Sequence, residues 1–580
     1  MNKRLKNRLW LVTCLALAII TTYTIYRYYC VHRIGDSDFY WHIMLGKNAI
    51  SGLSADDSLV WSNSIYQTSY TNYSLLSDII LYKLSCIRED ETFGALVYML
   101  ITAFITSFIV FASWGRNVIK KIGSSARSTI TSISAILFSV WLLYMAKGNP
   151  RPHLMALACF VVSIGILESR KPNVSYLAIP LAVIWANLHG ASMPLLIVME
   201  LLYLIVSLPI FRKLNVEVIS YTKNEYVGRV LSAVLSLLAG LCNPVGIKIY
   251  TRLFHVSDNA NILAIKEWSP ATIRSSVGVV LLIIFFVIGA LSPRKRSIAH
   301  VIPVIVAGTL MLLHVRFESW FFAALAIYIL DAVGNRETNY TETANSPQII
   351  VSVFSAAVAL FCTVNMAINQ IHSLRPLRYP SEAVINAIKD YAPKRMYADI
   401  NTGAFFEYNG IPVIIDSRID MYDKELLQDM NAIKGKVSVT DGTPDYTEAV
   451  LKKYNIDMVT LCRGDSMMLI GYMAQKQNWC IAYQDSAYVI FQKLQEQKKG
   501  QCRSSLTTAL SLFDVNYSIF KKYPSPLCTK WGNSGNGKHY IPHNYIIPRL
   551  DDVVNHHSPA TSSVPQELSC VQSVWSGLTQ

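Results

Sequence analysis

Charge is scarce in this sequence. Only 16% of its 580 residues are Asp, Glu, Lys or Arg, where a soluble chain usually carries about 25%. Paired cysteines are missing too. The 11 Cys are scattered, Cys14, Cys159, Cys242 and Cys362 lie in apolar runs, and none forms a CxxC. That excludes a disulfide scaffold and a zinc ribbon. Neither a P-loop nor a Rossmann fingerprint is present. No clear internal repeat appears, which argues against a transporter built from duplicated halves. What the sequence has instead is apolar surface: 52% of residues are hydrophobic and the mean hydropathy is +0.32. This is the composition of an integral membrane protein, not of a disordered chain, a collagen or a coiled coil.

A bilayer core of about 30 Å takes about 20 apolar residues per helix. The first such run, about Leu9 to Tyr28, follows a basic start and lacks a small-residue cleavage site, so it reads as a span and not as a signal peptide. Others lie near residues 92–112, 128–146, 153–168, 174–188, 193–211, 230–243, 277–292, 299–314, 317–333 and 349–368. About eleven transmembrane helices are expected. Lys and Arg gather in alternate loops, from Lys3–Arg8 through Arg116–Arg127 and Arg212–Arg229 to Arg294–Arg296. By the positive-inside rule those loops and the N-terminus are cytoplasmic. Topology accounts for much of the net charge of +14, and no nucleic acid is implied.

Three regions follow: a transmembrane domain over 1–370 with a long first outer loop at 29–91, a small extracytoplasmic α/β domain over 371–498, and a poorly ordered tail over 499–580, or a stretch from a shifted reading frame. In the α/β domain MYAD (396–399), PVIID (412–416), DMVTLC (457–462), CIAYQD (480–485) and AYVIFQK (487–493) read as strands. Ser381–Tyr391 and Asp445–Tyr454 read as helices, Ser381 as a cap. Cys462 and Cys480 either pair in an oxidising exterior or are simply buried.

The first outer loop carries GDSDFYWH, Gly35 to His42. Asp36 and Asp38 in an extended segment can share a divalent cation, Mg or Mn, completed by water and substrate phosphate. A helix starting at Asp38 would place His42 on its face. The same residues also suit a capped helix lying on the bilayer. Four further clusters fall on the outer side: Arg151 and His153 in NPRPH, Asn187 and His189 in WANLHG, Glu267 and Trp268 in EWSP, and Arg316 in HVR. Alone, each reads as a snorkelling or satisfied side chain. Together they predict one outward-facing cavity, because polar groups at membrane depth are costly and usually functional. Carboxylates with Arg151 and Arg316 suit a phosphate leaving group. Asp38 suits either metal binding or deprotonation of an acceptor hydroxyl. In the α/β domain, Asp416 and Arg418 of IIDSRID either form a local ion pair or gate and orient an acceptor.

GDSDFYWHIMLGKNAI, NPRPH, WANLHG, NPVG…IKEWSP and IPVIIDSRIDMY, in this order over residues 9 to 495, resemble bacterial polytopic proteins of the GT-C glycosyltransferase superfamily. The resemblance implies a catalytic carboxylate in the first outer loop, matched here by Asp36 and Asp38. It implies a polyprenyl-phosphate sugar donor and an envelope glycan, lipid or protein as acceptor. His153 stands where related sequences often have Gln. No WWD-type acceptor motif is found, which argues against protein N-glycosylation. Two non-enzymatic readings compete: a translocase of lipid-linked glycans, and a structural membrane protein.

Overall fold

The computed structural model describes residues 11–26, 38–52, 72–87, 91–121, 150–251, 265–333 and 380–494, apart from short interior gaps. The expected spans near 128–146 and 349–368, Asp36, Asp420 and the tail from 499 lie outside these residues.

The segment 29–91, expected as an outer loop, is not a loop throughout. It holds two helices, α1 (Asp38–Ile50) and α2 (Leu75–Ser85). They pack closely: a Cβ on Gly46 of α1 would meet the Asp78 carbonyl oxygen of α2 at 2.1 Å. Next come α3 (Glu91–Lys121), α4 (His153–Leu167), α5 (Ala178–His189), α6 (Pro194–Val206), α7 (Lys223–Ala239), α8 (Val277–Leu291), α9 (Ile298–Leu313) and α10 (Glu318–Val333). Two helical stretches among the described residues are long and apolar enough to cross a membrane, Phe93–Ser113 and Asn173–Ser192. Shorter apolar helices include His153–Leu167, Pro194–Val206 and Ile298–Leu313. The run expected at 193–211 is α-helical to Val206 and ends in a 3-10 helix, Pro209–Lys213. Its outward side chains, Val198, Leu201 and Ile205, are apolar and exposed, a surface suited to an apolar solvent. Inside, Trp185, Phe160, Trp320 and Phe321 form a continuous core. α7 begins with a capping box in which Thr222 and Glu225 satisfy each other's backbone donors.

The C-terminal part is a small α/β unit. Its helices are α11 (Glu382–Tyr391), α12 (Ile400–Tyr408), α13 (Lys424–Gly435), α14 (Tyr446–Lys453) and α15 (Met467–Ala474). Its strands are β1 (Met396–Ala398), β2 (Met458–Cys462), β3 (Trp479–Gln484) and β4 (Tyr488–Lys493). The sheet order is β1-β2-β4-β3, with β1–β2 parallel and the other pairs antiparallel. Ser381 accepts from the Val384 amide and starts α11; Ala392 ends it at φ 45°.

Two local expectations change. PVIID contributes one bridge, Val413 to Met396, and no strand, because the chain then turns into a loop held by side chains. Cys462 and Cys480 sit on β2 and β3 with β4 between them, opposite Tyr488 and Gln492. Two strand spacings of about 4.8 Å exceed the reach of a disulfide, and both are free thiols. Burial pushes the Cys462 thiol above its ordinary value.

Helix α1 joins the two parts. Phe39, Tyr40 and Ile43 pack with Leu81, Tyr98 and Ala404, while Leu45 enters the core of the α/β unit beside Tyr397 and Leu426. The aromatic run after Asp38 therefore fixes where the first residue of α1 stands. Tyr40 meets Phe405 edge-on, their ring centroids 5.1 Å apart.

Candidate functional site

Asp38 opens α1, where the helix dipole favours a carboxylate. Its Oδ2 lies 2.8 Å from Arg151 Nη2. Arg151 sits between Pro150 and Pro152 ahead of α4, and a residue before proline is held out of the helical region. The same guanidinium reaches Glu267 Oε1 at 3.7 Å, and Arg316 Nη1 reaches that oxygen at 3.9 Å. Charges thus alternate along a line: Asp38, Arg151, Glu267, Arg316.

The far end of this line is braced. Arg316 stands on a single turn, Val315–Phe317, between α9 and α10. The Val315 amide donates to the Ser269 carbonyl at 2.9 Å, and the Ala271 amide to the Leu312 carbonyl at 3.2 Å. These bonds pin the Glu267–Trp268 turn to the helix ends. His314 Nδ1 lies 2.6 Å from the Trp268 carbonyl oxygen. The Arg316 guanidinium lies 4.3 Å from the centre of the Trp268 ring, a cation–π contact.

The α/β unit closes over the line. Ser417 Oγ donates to Asp38 Oδ1 at 2.5 Å, and Ile419 packs on Trp268. The flanking residues face inward. Arg418 donates from Nε to Asp416 Oδ2 at 2.5 Å and from Nη2 to Glu407 Oε2 at 2.8 Å, and all three are buried. Tyr422 donates to Asp416 Oδ1 at 2.7 Å. Burial, then the Asp416 carboxylate, pushes the Tyr422 phenol well above its ordinary range, so it stays a donor. Gly403 of α12 admits this loop, since a Cβ there would lie 2.5 Å from the Ile415 carbonyl oxygen.

The structure therefore brings together Asp38, Arg151, Glu267, Trp268 and Arg316 and adds Ser417, which the motifs did not single out. Other candidates stand elsewhere. His42 is buried with its Nδ1 2.5 Å from Asp78 Oδ1, and this contact ties α1 to α2. Asp416 and Arg418 form the local ion pair that was one of their two expected readings, and the pair faces inward. Asn187 donates to the Val183 and Cys242 carbonyls at 2.9 and 2.7 Å. His189 Nδ1 lies 2.7 Å from Ser192 Oγ. Both serve the end of α5, where the Gly190 amide donates to the Tyr73 carbonyl at 2.8 Å. His153 is half-buried in the first turn of α4.

For a divalent cation, both Asp38 oxygens already face donors, Arg151 and Ser417. Among the described residues no three of His, Cys, Asp or Glu converge as a metal-holding group. The described donors do not by themselves make a divalent-cation site.

No protein-family model and no curated protein matches the chain. Solved structures are similar to it in overall shape. One is the Archaeoglobus fulgidus oligosaccharyltransferase tethered with an acceptor peptide, at 13% identity and TM-score 0.47, covering 83% of this chain and 74% of that one. Another is the oligosaccharyltransferase AglB from the same organism in complex with an inhibitory peptide and a dolichol-phosphate, at 14% identity and TM-score 0.49, covering 81% and 71%. A third is ArnT from Cupriavidus metallidurans bound to undecaprenyl phosphate, at 11% identity and TM-score 0.44, covering 84% and 98%.

Proposed function

We propose that the protein is a multi-pass membrane glycosyltransferase of GT-C type, with about eleven transmembrane helices, a cytoplasmic N-terminus and an extracytoplasmic α/β domain. It transfers a sugar from a polyprenyl-phosphate carrier to a hydroxyl acceptor at the outer face. The observation that carries this reading is the line Asp38–Arg151–Glu267–Arg316 beneath Ser417.

Arg151 and Arg316 hold the carrier phosphate and neutralise the charge that grows on it as it leaves. Asp38 takes the proton of the acceptor hydroxyl. The acceptor oxygen bonds to the sugar carbon as the bond from that carbon to the phosphate oxygen breaks, and the lipid phosphate departs paired with the arginines. Arg151 orients Asp38 through the 2.8 Å contact. Trp268 and Ile419 keep one side of the site apolar, which strengthens these charge interactions. The acceptor is an envelope glycan, a lipid or a protein.

The test is sugar release from radiolabelled polyprenyl-phosphate sugars by purified protein in lipid, comparing wild type with Asp38→Asn and Arg151→Ala. Release that both variants abolish supports the reading. Equal release by all three refutes the assignment of these residues.

A further inference from the structure

Glu200 is the middle residue of α6, in which every other residue except Tyr203 is apolar. It is 3% exposed. Two buried serines of α7 meet it: Ser232 Oγ and Ser236 Oγ each lie 3.3 Å from Glu200 Oε1. Ser232 Oγ also lies 2.8 Å from the carbonyl oxygen of Ser175, in the turn Pro172–Ser175 ahead of α5.

The hydrogens can be assigned from these contacts. A hydroxyl has one hydrogen. Ser232 gives its hydrogen to the Ser175 carbonyl, which is nearer and has none of its own. The contact between Ser232 and Glu200 then takes its hydrogen from Glu200. Ser236 is left as the donor to Oε1, and the buried Oε2 has no hydrogen-bond partner. An ionised carboxylate would have one hydrogen bond for two charged oxygens, a costly state in a packed core. A neutral acid fits: Oε1 bears the hydrogen, gives it to Ser232 and accepts from Ser236, and Oε2 is a carbonyl oxygen.

The competing arrangement is an ion pair with Arg229 of α7, which is also buried. That guanidinium is engaged at the end of α4. Its Nη1 donates to the Leu167 carbonyl at 3.1 Å and its Nη2 to the Ser169 carbonyl. It also lies 4.3 Å from the centre of the Tyr221 ring. Its charge acts on Glu200 only from beyond ion-pair distance. Tyr203, on the same helix as Glu200, donates to the Ala299 carbonyl of α9.

We propose that Glu200 is a proton-binding site in the helical core, occupied at neutral pH, and that its hydrogen joins α6 to α7. The bonds run in one direction, from Ser236 to Glu200, from Glu200 to Ser232 and from Ser232 to the Ser175 carbonyl. An ionisable group in the middle of an apolar helix, where charge is costly, is thereby satisfied while neutral. The site stands apart from the line of Asp38, Arg151, Glu267 and Arg316.

The first test is infrared difference spectroscopy of the full-length protein in nanodiscs at neutral pH, wild type minus Glu200→Gln. The chain has 38 acidic residues, and the subtraction isolates one of them. Wild type should show a protonated-carboxyl C=O band that the variant lacks, with equal carboxylate absorption in both. Loss of carboxylate absorption in the variant overturns the proposal, because Glu200 would then be ionised beside Arg229 or a small bound cation.

The second test follows unfolding temperature in the same nanodiscs. Gln has the size of Glu and keeps a donor and an acceptor, so Glu200→Gln should melt with wild type. Glu200→Ala and Ser232→Ala should each melt lower, and their losses should overlap in the double variant, since both break one link. A Glu200→Gln variant that fails to fold, or that melts with Glu200→Ala, overturns the proposal, because the charge would then be needed. Fully additive losses in the double variant overturn the join between the helices. Neither test uses a sugar or a phosphate, so its outcome is independent of the transferase reading.

Discussion

Ser417 donates its hydroxyl hydrogen to Asp38 Oδ1 at 2.5 Å across 379 positions of sequence. One residue belongs to a loop of the α/β unit and the other to the first helix of the chain. Asp38 is therefore held from two sides, by Arg151 in front of α4 and by Ser417 from above. A carboxylate held this way has one orientation, which a proton acceptor in a transfer reaction needs. The α/β unit is part of the site through this contact, and its remaining loop residues serve to present Ser417.

Exchanging Ser417 for Ala removes one charge-assisted hydrogen bond, worth about 1.5–3 kcal/mol. Sugar transfer should fall on the order of tenfold or more, while undecaprenyl-phosphate binding through the arginines stays within about twofold. Ser417→Thr should restore transfer. Equal losses in binding and turnover would show that the loop is needed only for folding.

Arg418→Ala leaves Asp416 and Glu407 buried without their shared cation. Breaking a buried pair by removing one partner costs about 3–5 kcal/mol. The variant should unfold at clearly lower temperature than wild type, followed by circular dichroism on the full chain. An unchanged melting curve would contradict the burial of this group.

Gly403→Ala should act on the same loop by crowding. The new methyl would lie 2.5 Å from the Ile415 carbonyl oxygen and 2.9 Å from Asp416 Cα, so the loop must shift. Transfer should drop as in Ser417→Ala, with a smaller loss of thermal stability than in Arg418→Ala. Wild-type transfer by this variant would mean that the loop tolerates displacement.

The pole of α13 and α14 predicts an acid limit for the α/β unit. Desolvation acts to raise the Asp429 pKa, but hydrogen bonds from Lys453, Tyr446 and Tyr454 outweigh it and lower it below its ordinary value. A lowered folded-state pKa adds stability that is present above the unfolded value of about 3.9 and is lost as pH falls through the folded value. The Lys453 pKa is raised, chiefly by its hydrogen bond to Asp429, so its share is lost only in strong alkali. Unfolding temperature should be flat from neutral pH to about 5 and should fall below about 4. Lys453→Met should lower the plateau and flatten the acid slope, and an unchanged slope would count against the pair.

Chelation separates the arginines from a metal. The described residues supply two guanidinium groups and no complete cation site. If the two arginines alone carry the phosphate, undecaprenyl-phosphate binding should survive removal of divalent ions. Loss of binding on chelation, restored by Mn, would bring the expected pair of Asp36 and Asp38 into phosphate binding.

Much of the arrangement was legible in sequence because membrane chemistry exposes it. Arg151, Glu267, Trp268 and Arg316 stand out as polar or amphipathic groups at the ends of apolar runs, and the positive-inside rule puts them on one side. Asp38 was legible as a helix start. Ser417 was not, because a serine between Asp416 and Arg418 carries no pattern and its partner lies in another domain. The charged neighbours drew attention instead, yet their mutual attraction turns them inward. The contact of His42 was not legible either: its partner, Asp78, lies 36 positions on, in a helix inside the segment that reads as a long loop. PVIID read as a strand from composition, while the Asp416 amide donates to the Tyr422 hydroxyl oxygen and the Arg418 amide donates to Asp416 Oδ1, which bends it into a loop.

The most direct test of the central claim measures sugar release from a panel of polyprenyl-phosphate sugars by the full-length protein in nanodiscs. Wild type, Asp38→Asn, Arg151→Ala and Arg316→Ala are compared alongside undecaprenyl-phosphate binding. The account predicts release by wild type, loss of release with retained binding in Asp38→Asn, and loss of both in each arginine variant. Release by all four proteins at the same rate, or binding that ignores both arginines, would contradict it.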